Sequence, residues 1–227
     1  MEPKHLVRVG YDALSFLYRQ DDDTPINQTQ WANQLVNILS TKPARVLDLG
    51  CGCGVPVART LACAGHHVVG VDISAVQVAR AKELVPEGQF FQADITELAA
   101  GACEAEVQSA VSSGERFDAV VALYVLIHLP LEEQAALMRQ IGNWVKEGGH
   151  CMMTVGITAW TGEVQGWLGS SSDIRMWWSQ AAVEEYRKWA TDAGFEIVRD
   201  EQAPDLRTNQ ASEGHQFLLL RKLPSCH

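Results

Sequence analysis

The fold is decided by one glycine-rich stretch, Asp48-Leu49-Gly50-Cys51-Gly52-Cys53-Gly54. It follows the apolar run Arg45–Leu49, which predicts a strand, and precedes Val55–Ala64, which predicts a helix ended by Gly65. Three glycines at alternate positions allow a tight turn and the close approach of a ligand to the backbone. The stretch therefore predicts a ligand-binding loop between the first strand and the following helix.

An acidic residue ends the next predicted strand, His67–Val71. Asp72 follows Gly50 by 22 residues, and a carboxylate at this edge of a sheet can accept hydrogen bonds from both hydroxyls of a ribose. Dinucleotide-binding loops use this geometry with the pattern G-x-G-x-x-G/A. That pattern needs a small residue where Val55 or Val57 stands, so the NAD fingerprint does not fit.

The order Asp-x-Gly-x-Gly-x-Gly resembles motif I of the class I methyltransferases that depend on S-adenosylmethionine (SAM). SAM carries an ammonium and a sulfonium rather than a pyrophosphate, and a carboxylate at Asp48 favours these positive charges. The resemblance covers roughly Gly10 to Val155 and a terminal pair of strands. Its other segments are the lid helix Tyr11–Tyr18, Gln92–Ile95, Phe117–Tyr124, Ile127–Pro130 and Val145–Gly149.

The resemblance implies SAM as the cofactor, S-adenosylhomocysteine (SAH) as its product, and a set of binding residues. In such a site Asp94 bonds the adenine amino group, Ile95 packs on the ring and Tyr11 closes over the methionine end. The residues expected to contact the cofactor are Tyr11, Asp48, Gly50, Cys51, Gly52, Asp72, Ile73, Asp94, Ile95 and Leu123.

Two side chains after the fourth predicted strand are the candidate catalytic residues. Transfer of a methyl group from a sulfonium is an in-line displacement, so the protein mainly has to position the acceptor and exclude water. A general base is needed only if the acceptor loses a proton. His128 is a candidate base or orienting residue, and Tyr124 a candidate to line the pocket; the alternative for His128 is a purely structural role in its loop.

Residues 157–178 are rich in tryptophan and predict an insertion on the acceptor side. Aromatic walls bind flat or cationic organic groups well. The alternative is that these rings pack on the N-terminal helices. The residues expected to contact the acceptor are Tyr18, Trp160, Arg175 and Trp177, the arginine through an acceptor carboxylate.

Strands and helices alternate along the chain, which predicts an α/β fold. We expect a doubly wound, seven-stranded, mostly parallel sheet with an antiparallel last strand and helices on both faces. Residues 1–40 predict a helical lid, and the whole chain, 1–227, is expected to form one methyltransferase domain. The patterns also predict helices over Leu131–Lys146 and Ser179–Ala193.

Composition narrows the choice of partners. The net charge of −10 disfavours a nucleic-acid substrate, because a phosphate backbone is repelled and the basic residues are scattered. Neither a signal peptide nor a stretch long enough to span a bilayer is expected, so no membrane partner is predicted. Six cysteines without C-x-x-C spacing suggest free thiols and a cytoplasmic location, and no metal site is predicted.

These patterns together predict an enzyme that transfers a methyl group from SAM to an O, N or S atom of a small organic acceptor. One alternative is a SAM-binding domain that does not methylate and has another activity or serves as a partner subunit. A second, less favoured, is an NAD-dependent oxidoreductase. The sequence names neither the acceptor nor the oligomeric state.

Overall fold

The chain folds around one large sheet, with helices and strands in alternation. The computed structural model describes residues 2–112, 115–203 and 214–224. The helices are α1 (Pro3–Tyr18), α2 (Ile26–Ile38), α3 (Val57–Cys63), α4 (Ala75–Leu84), α5 (Ile95–Ala99), α6 (Ala105–Ser112), α7 (Leu131–Trp144) and α8 (Val183–Asp192). The strands are β1 (Arg45–Leu49), β2 (His67–Asp72), β3 (Gln89–Gln92), β4 (Phe117–Ala122), β5 (Val145–Gly156), β6 (Trp160–Gln165), β7 (Arg175–Gln180), β8 (Phe195–Ala203) and β9 (His215–Lys222).

Seven strands form the main sheet in the order β3-β2-β1-β4-β5-β9-β8. The first five strands in this order pair in parallel, and β9 runs antiparallel to both β5 and β8. This confirms the predicted doubly wound sheet with its antiparallel last strand. The strand order reverses between β1 and β4, so the carboxyl ends of these strands face a crevice at the switch point.

Two hydrophobic clusters cover the two faces of the sheet. Leu47 and Leu49 of β1 join the cluster that includes the apolar faces of α7 and α8. Val46, between them in sequence, joins the cluster that contains Trp31 of α2 and Leu61 of α3. Side chains alternate along a strand, so a strand buried on both faces is apolar throughout. This is why β1 and β4 were recognisable from the sequence.

Helix α1 lies across the crevice and is fixed on both sides. Its apolar residues Leu6, Val7 and Leu14 are buried. Gly10 faces β7 so closely that a Cβ atom there would lie 2.0 Å from the sulfur of Met176. A larger residue at position 10 would therefore push the helix and the strand apart. The region expected to be a lid is thus held between the crevice and a second small sheet.

That small sheet is formed by β6 and β7, which pair antiparallel over residues 160–165 and 175–180. Together with the loop that connects them, the two strands span most of the tryptophan-rich insertion. The helix predicted over Ser179–Ala193 begins only at Val183, because residues 179 and 180 pair with β6 instead. Aromatic residues are common in strands as well as in ligand-binding walls, and here several of them lie in two strands that pair with each other.

Two other predicted boundaries were wrong. The helix predicted to run to Lys146 ends at Trp144, because β5 begins at Val145 and pairs with Phe117 of β4. The helix predicted from Val55 begins at Val57, since Pro56 precedes it as its N-cap. Helix α4 begins at an N-cap serine, because the Ser74 side chain accepts a hydrogen bond from the Gln77 N–H, whereas the Ser74 N–H donates to Asp72.

None of the helices formed by the described residues is long and apolar enough to cross a membrane. The cysteines within this part of the chain are free thiols, and Cys226 lies outside it.

Candidate active site

A cleft of about 630 Å³ lies at the carboxyl ends of β1, β2 and β4, beneath α1. A second cavity of about 440 Å³ adjoins it and shares Tyr18, Gly50, Gly52 and Leu123 with it. Every residue expected to contact the cofactor lines one or both of these cavities; these residues are Tyr11, Asp48, Gly50, Cys51, Gly52, Asp72, Ile73, Asp94, Ile95 and Leu123. The structure therefore brings the predicted cofactor residues together at the switch point.

The glycine loop is shaped by backbone conformations that suit glycine. Gly50, Gly52 and Gly54 have φ angles of 68°, 53° and 78°, in the left-handed region. The N–H groups of Gly50 and Cys51 both donate to the Val71 carbonyl, which ties the loop to β2. A Cβ atom at Gly50 would lie 2.5 Å from the Val125 side chain, so glycine is also required there for space.

Asp72 is held by the loop that it faces. One carboxylate oxygen accepts from the Gly52 N–H and the other from the Ser74 N–H, each at 2.9 Å. Burial raises the pKa of Asp72 to about 6, against the lowering effect of these hydrogen bonds. Each oxygen keeps a further lone pair, so the carboxylate is oriented and still able to accept bonds from two ribose hydroxyls.

Asp48 is buried in the second cavity, together with Arg19 and Gln28. Burial, with Asp72 as a neighbouring like charge, raises the pKa of Asp48 to about 8. A carboxyl group in this position is stabilised in its ionised form by a cation. The ammonium group of SAM is such a cation, so these residues fit the amino-acid end of that cofactor.

Asp94 lines the other end of the cleft as the N-cap of α5. One of its oxygens accepts from the backbone and hydroxyl of Thr96, and the other pairs with Lys4 at 2.7 Å. Lys4 also contacts Glu133 at 3.1 Å. The sequence analysis missed Lys4, because its partner lies 90 residues away and nothing local marks the pair.

Polar contacts fix α1 over the cleft. Asp12 accepts a hydrogen bond from the Ser74 hydroxyl at 2.6 Å, and Ser15 donates to Gln77 at 2.9 Å. The buried guanidinium of Arg80 donates to Ser15 at 2.8 Å. Helix α1 therefore closes the cleft, and it would have to move away for a ligand as large as SAM to enter or leave.

His128 is buried beside the cleft, and both of its ring nitrogens are bonded. Nδ1 lies 2.8 Å from the Trp177 carbonyl, which can only accept, so Nδ1 carries the proton. Nε2 therefore accepts a hydrogen bond from the Tyr11 hydroxyl, 2.9 Å away. Burial lowers the pKa of His128 to about 4, so the imidazole is neutral at neutral pH.

Tyr124 is held in a strained conformation at the same cleft. Its φ angle is 58°, uncommon for an aromatic residue. Its N–H donates to the buried hydroxyl of Thr154 at 2.6 Å, and its ring meets the edge of His215 at 5.0 Å. Strained residues of this kind concentrate at functional sites, where the surrounding structure holds them.

Five rings form what we call the aromatic cluster, on the side of α1 next to His128. Its members are Tyr11, Tyr18, His128, Trp167 and Trp178, with neighbouring ring centroids 5.3–5.9 Å apart. Trp167 and Trp178 belong to the tryptophan-rich insertion but were not among the residues expected to contact the acceptor. The pairing of β6 with β7 decides which rings face α1, and the sequence alone did not reveal that pairing.

The other residues expected at the acceptor lie elsewhere. Trp160 is 46% exposed, and Arg175 pairs with Glu163 at 3.0 Å across the small sheet. Side chains alternate along β7, so Trp177 faces away from Trp178, and only its carbonyl reaches His128. None of Trp160, Arg175 and Trp177 lines either cavity, whereas Tyr18 lines both.

Known proteins share this architecture. The chain is 29% identical over 157 residues, 68% of its length, to magnesium-protoporphyrin O-methyltransferase of Synechocystis, and it spans 64% of that relative. The crystal structure of that enzyme with bound SAM superimposes with a TM-score of 0.66 at 21% identity, covering 98% of each chain.

Two further solved structures have the same fold. One is the 1,6-didemethyltoxoflavin-N1-methyltransferase of Burkholderia thailandensis, with a TM-score of 0.68 at 18% identity over 99% of this chain and 92% of that one. The other is the [4+2]-cyclase SpnF, with a TM-score of 0.66 at 18% identity over 96% and 95%. A family model described as a methyltransferase domain matches residues 26–200, most of the chain. The chain is therefore a member of the methyltransferase-domain family, within the class I, SAM-dependent group that its motifs resemble.

Proposed function

We propose that this chain transfers the methyl group of SAM to an O, N or S atom of a small organic acceptor. The observation that carries the proposal is the position of two buried carboxyls, Asp48 and Asp72, and of the neutral His128–Tyr11 pair around the cleft and the cavity that adjoins it. The first pair suits a cationic nucleoside ligand, and the second suits an acceptor beside it.

In this proposal the residues of the cleft hold the cofactor in a fixed orientation. Asp72 accepts from the ribose hydroxyls, Asp94 and Ile95 hold the adenine, and Asp48 pairs with the ammonium. The buried guanidinium of Arg19, which donates to Gln28 at 3.0 Å, lies in the same cavity and can pair with the carboxylate of the ligand.

When bound, SAM supplies an activated methyl group, so this chain mainly has to orient the acceptor and exclude water. Closure of α1 serves both purposes. The low pKa of His128 keeps a second positive charge away from the sulfonium. Nε2 of the neutral His128 accepts a hydrogen bond from Tyr11, and the lone pairs left on the Tyr11 oxygen can accept a hydrogen bond that orients the acceptor. Tyr124 would line the pocket.

The aromatic cluster indicates the kind of acceptor. Tyr18, Trp167 and Trp178 present ring faces and edges beside His128, and such surfaces bind flat organic groups. The Synechocystis and Burkholderia neighbours are named for methylation of organic ring compounds, which agrees with this class. We therefore place the acceptor beside Tyr11, Tyr18 and His128, which line the cleft, with Trp167 and Trp178 packed behind these rings. A single domain over 1–227, a cytoplasmic location and no nucleic-acid partner complete the proposal.

The test begins with calorimetric titration of the protein with SAH. Asp72→Ala removes two charge-assisted hydrogen bonds and should weaken binding about 100-fold or more. Asp22→Ala, at an exposed loop position, is the matched control and should bind as the wild type does. Methylated products are then sought by mass spectrometry in a panel of flat phenols, amines, thiols and carboxylic acids. Absence of SAH binding to a protein free of co-purified ligand would contradict the proposal.

A second candidate is a SAM-binding domain that catalyses a different reaction. It is favoured by the low pKa of His128, which makes the imidazole a weak base, and by the fold shared with a [4+2]-cyclase. The two candidates differ in their response to substitution. A function that survives His128→Ala and Tyr124→Phe but is lost in Asp72→Ala would support the second candidate.

A further inference from the structure

We infer that Gln134 and Tyr186 are positioning residues for His128, acting through the two backbone segments that hold the imidazole. Its relevance to catalysis depends on the proposed function. Neither residue lines the cleft or the cavity that adjoins it, and nothing in the local sequence distinguishes them. The inference comes from a chain of buried hydrogen bonds that connects α8, α7, β7 and the loop after β4.

The Gln134 side chain lies fully buried in the first turn of α7. Its Nε2 group donates to the Leu129 carbonyl at 2.8 Å and to the Ser179 carbonyl at 2.7 Å. Leu129 directly follows His128 and ends the 3-10 turn that contains it. Ser179 is two residues beyond Trp177, whose carbonyl accepts a hydrogen bond from Nδ1 of His128. One carboxamide thus bridges both segments that contact the imidazole.

Tyr186 of α8 fixes the orientation of that carboxamide. Its hydroxyl accepts from the Ala181 N–H at 3.2 Å and donates to Gln134 Oε1 at 2.6 Å. A flipped amide would place Oε1 against two carbonyl oxygens and Nε2 against a hydroxyl, so only one orientation is compatible with all the partners. Burial raises the pKa of Tyr186 to about 12, which keeps its proton available for donation.

The consequence concerns the tautomer of His128. The imidazole keeps its proton on Nδ1 only while the Trp177 carbonyl stays in place, and a bare Nε2 is what allows Tyr11 to donate. Loss of the Gln134 bridge leaves two buried carbonyls without their donor, so the segments should separate or take up water. The tautomer of His128 would then no longer be fixed. The SAM side of the cleft is built from other strands and should not change.

The test uses Gln134→Leu, which keeps the approximate volume but removes both donors, and Tyr186→Phe, which removes only the orienting hydroxyl. Gln140→Leu makes the same change on the same helix at a partly exposed residue that contacts Asn143, and is the matched control. Long-range proton–nitrogen NMR spectra of labelled protein report the tautomer, and the His128→Ala spectrum assigns the signal. Circular dichroism and SAH calorimetry report folding and the cofactor site.

We expect His128 to show one tautomer, protonated at Nδ1, in the wild type and in Gln140→Leu. In Gln134→Leu and Tyr186→Phe we expect a mixture of tautomers, with SAH affinity retained. A single Nδ1-protonated tautomer in folded Gln134→Leu would overturn the inference; if that variant does not fold, Tyr186→Phe decides by the same criterion. The proposed function fails separately, if the wild type binds no SAH and methylates no acceptor of the panel while the tautomer responds as expected.

Discussion

Asp48 carries a carboxyl group whose pKa is raised from 3.8 to about 8 by burial and by the nearby Asp72. Between these values the folded state binds a proton that the unfolded chain has released. The free energy of unfolding therefore falls as the pH rises across this window. A residue that suits a bound cation is thus a source of instability in the ligand-free protein.

The first prediction concerns stability. Asp48→Asn should raise the melting temperature of the ligand-free protein at about pH 8 by at least about 2 °C, because the ionisation cost is removed. The same variant should bind SAH more weakly. Asp22→Asn, an exposed aspartate in a loop, should change neither quantity. Thermal melts followed by circular dichroism at pH 5 and pH 8 would measure the effect, and an unchanged or lower melting temperature at pH 8 would contradict it.

The second prediction concerns pH and ligand affinity. The ammonium of SAH should lower the pKa of Asp48, so binding at pH 7 should release a proton. Affinity should then rise with pH through the neutral range and level off above about 8. Calorimetry in buffers of different ionisation enthalpy counts the protons released. Asp48→Asn should remove this release; a wild-type binding enthalpy that is the same in all buffers would argue against it.

The residues of the candidate site were predictable from the sequence where they lie within one local pattern. Asp48, Gly50 and Gly52 are neighbours in one loop, and Asp72 follows at the end of the next strand, so local patterns place them together. Lys4 and Gln134 act through contacts with distant segments. Such contacts depend on how the helices pack, and no spacing in the sequence records them.

At the scale of elements, α1 covers the cleft and its N-terminal end is attached through Lys4 to Asp94 and Glu133. The side chains of Lys4 and Asp94 are 17% and 11% exposed, so the pair is screened less than a surface ion pair. Breaking this pair should free the end of the helix that lies over the proposed adenine position.

The third prediction therefore concerns the rate of ligand release. Lys4→Met should increase the dissociation rate of SAH about 3- to 10-fold, because truncation of one partner in a partly buried pair acts mainly on dissociation. Lys188→Met removes a lysine that pairs with Asp192 on the exposed face of α8, and should leave the rate unchanged. Stopped-flow displacement with a fluorescent SAH analogue measures the rate, and equal rates in wild type and Lys4→Met would refute the role of Lys4.

The elements themselves show which sequence patterns decide structure. The largely apolar runs of β1 and β4 predict strands because burial on both faces favours apolar residues, with Asp48 and Asp118 as exceptions. The small sheet was missed because its two strands face the protein on one side only and depend on each other for pairing. The glycines after α7 suggested a helix end at Lys146, yet β5 begins earlier because its pairing with β4 determines where the helix stops.

Across the whole molecule, the two halves of the sheet contribute different parts of the site. The strands β1 and β2 supply Asp48 and Asp72, whereas the loop after β4 supplies Tyr124 and His128, and the switch point brings them together. The order of strands and helices predicted this arrangement. The position of the acceptor side was less predictable, because it depends on the small sheet and on α1.

The fourth prediction is a linkage effect on the whole fold. SAH at 100 times its dissociation constant should stabilise the protein by about 2.7 kcal/mol, which corresponds to a rise in melting temperature of about 5–10 °C for a chain of this size. Differential scanning fluorimetry over a range of SAH concentrations measures this rise. Asp72→Ala at the same ligand concentration should show little shift; a large shift in that variant would mean that SAH binds elsewhere.

Under the proposed function, helix α1 should also set the order in which the ligands bind. It covers the cleft and carries Tyr11, whose hydroxyl bonds to His128 on the proposed acceptor side. When α1 moves away for cofactor exchange, that bond has to break, so an open enzyme has no assembled place for the acceptor. We therefore expect the cofactor to bind first and its product to leave last, with SAH competing against SAM but not against the acceptor.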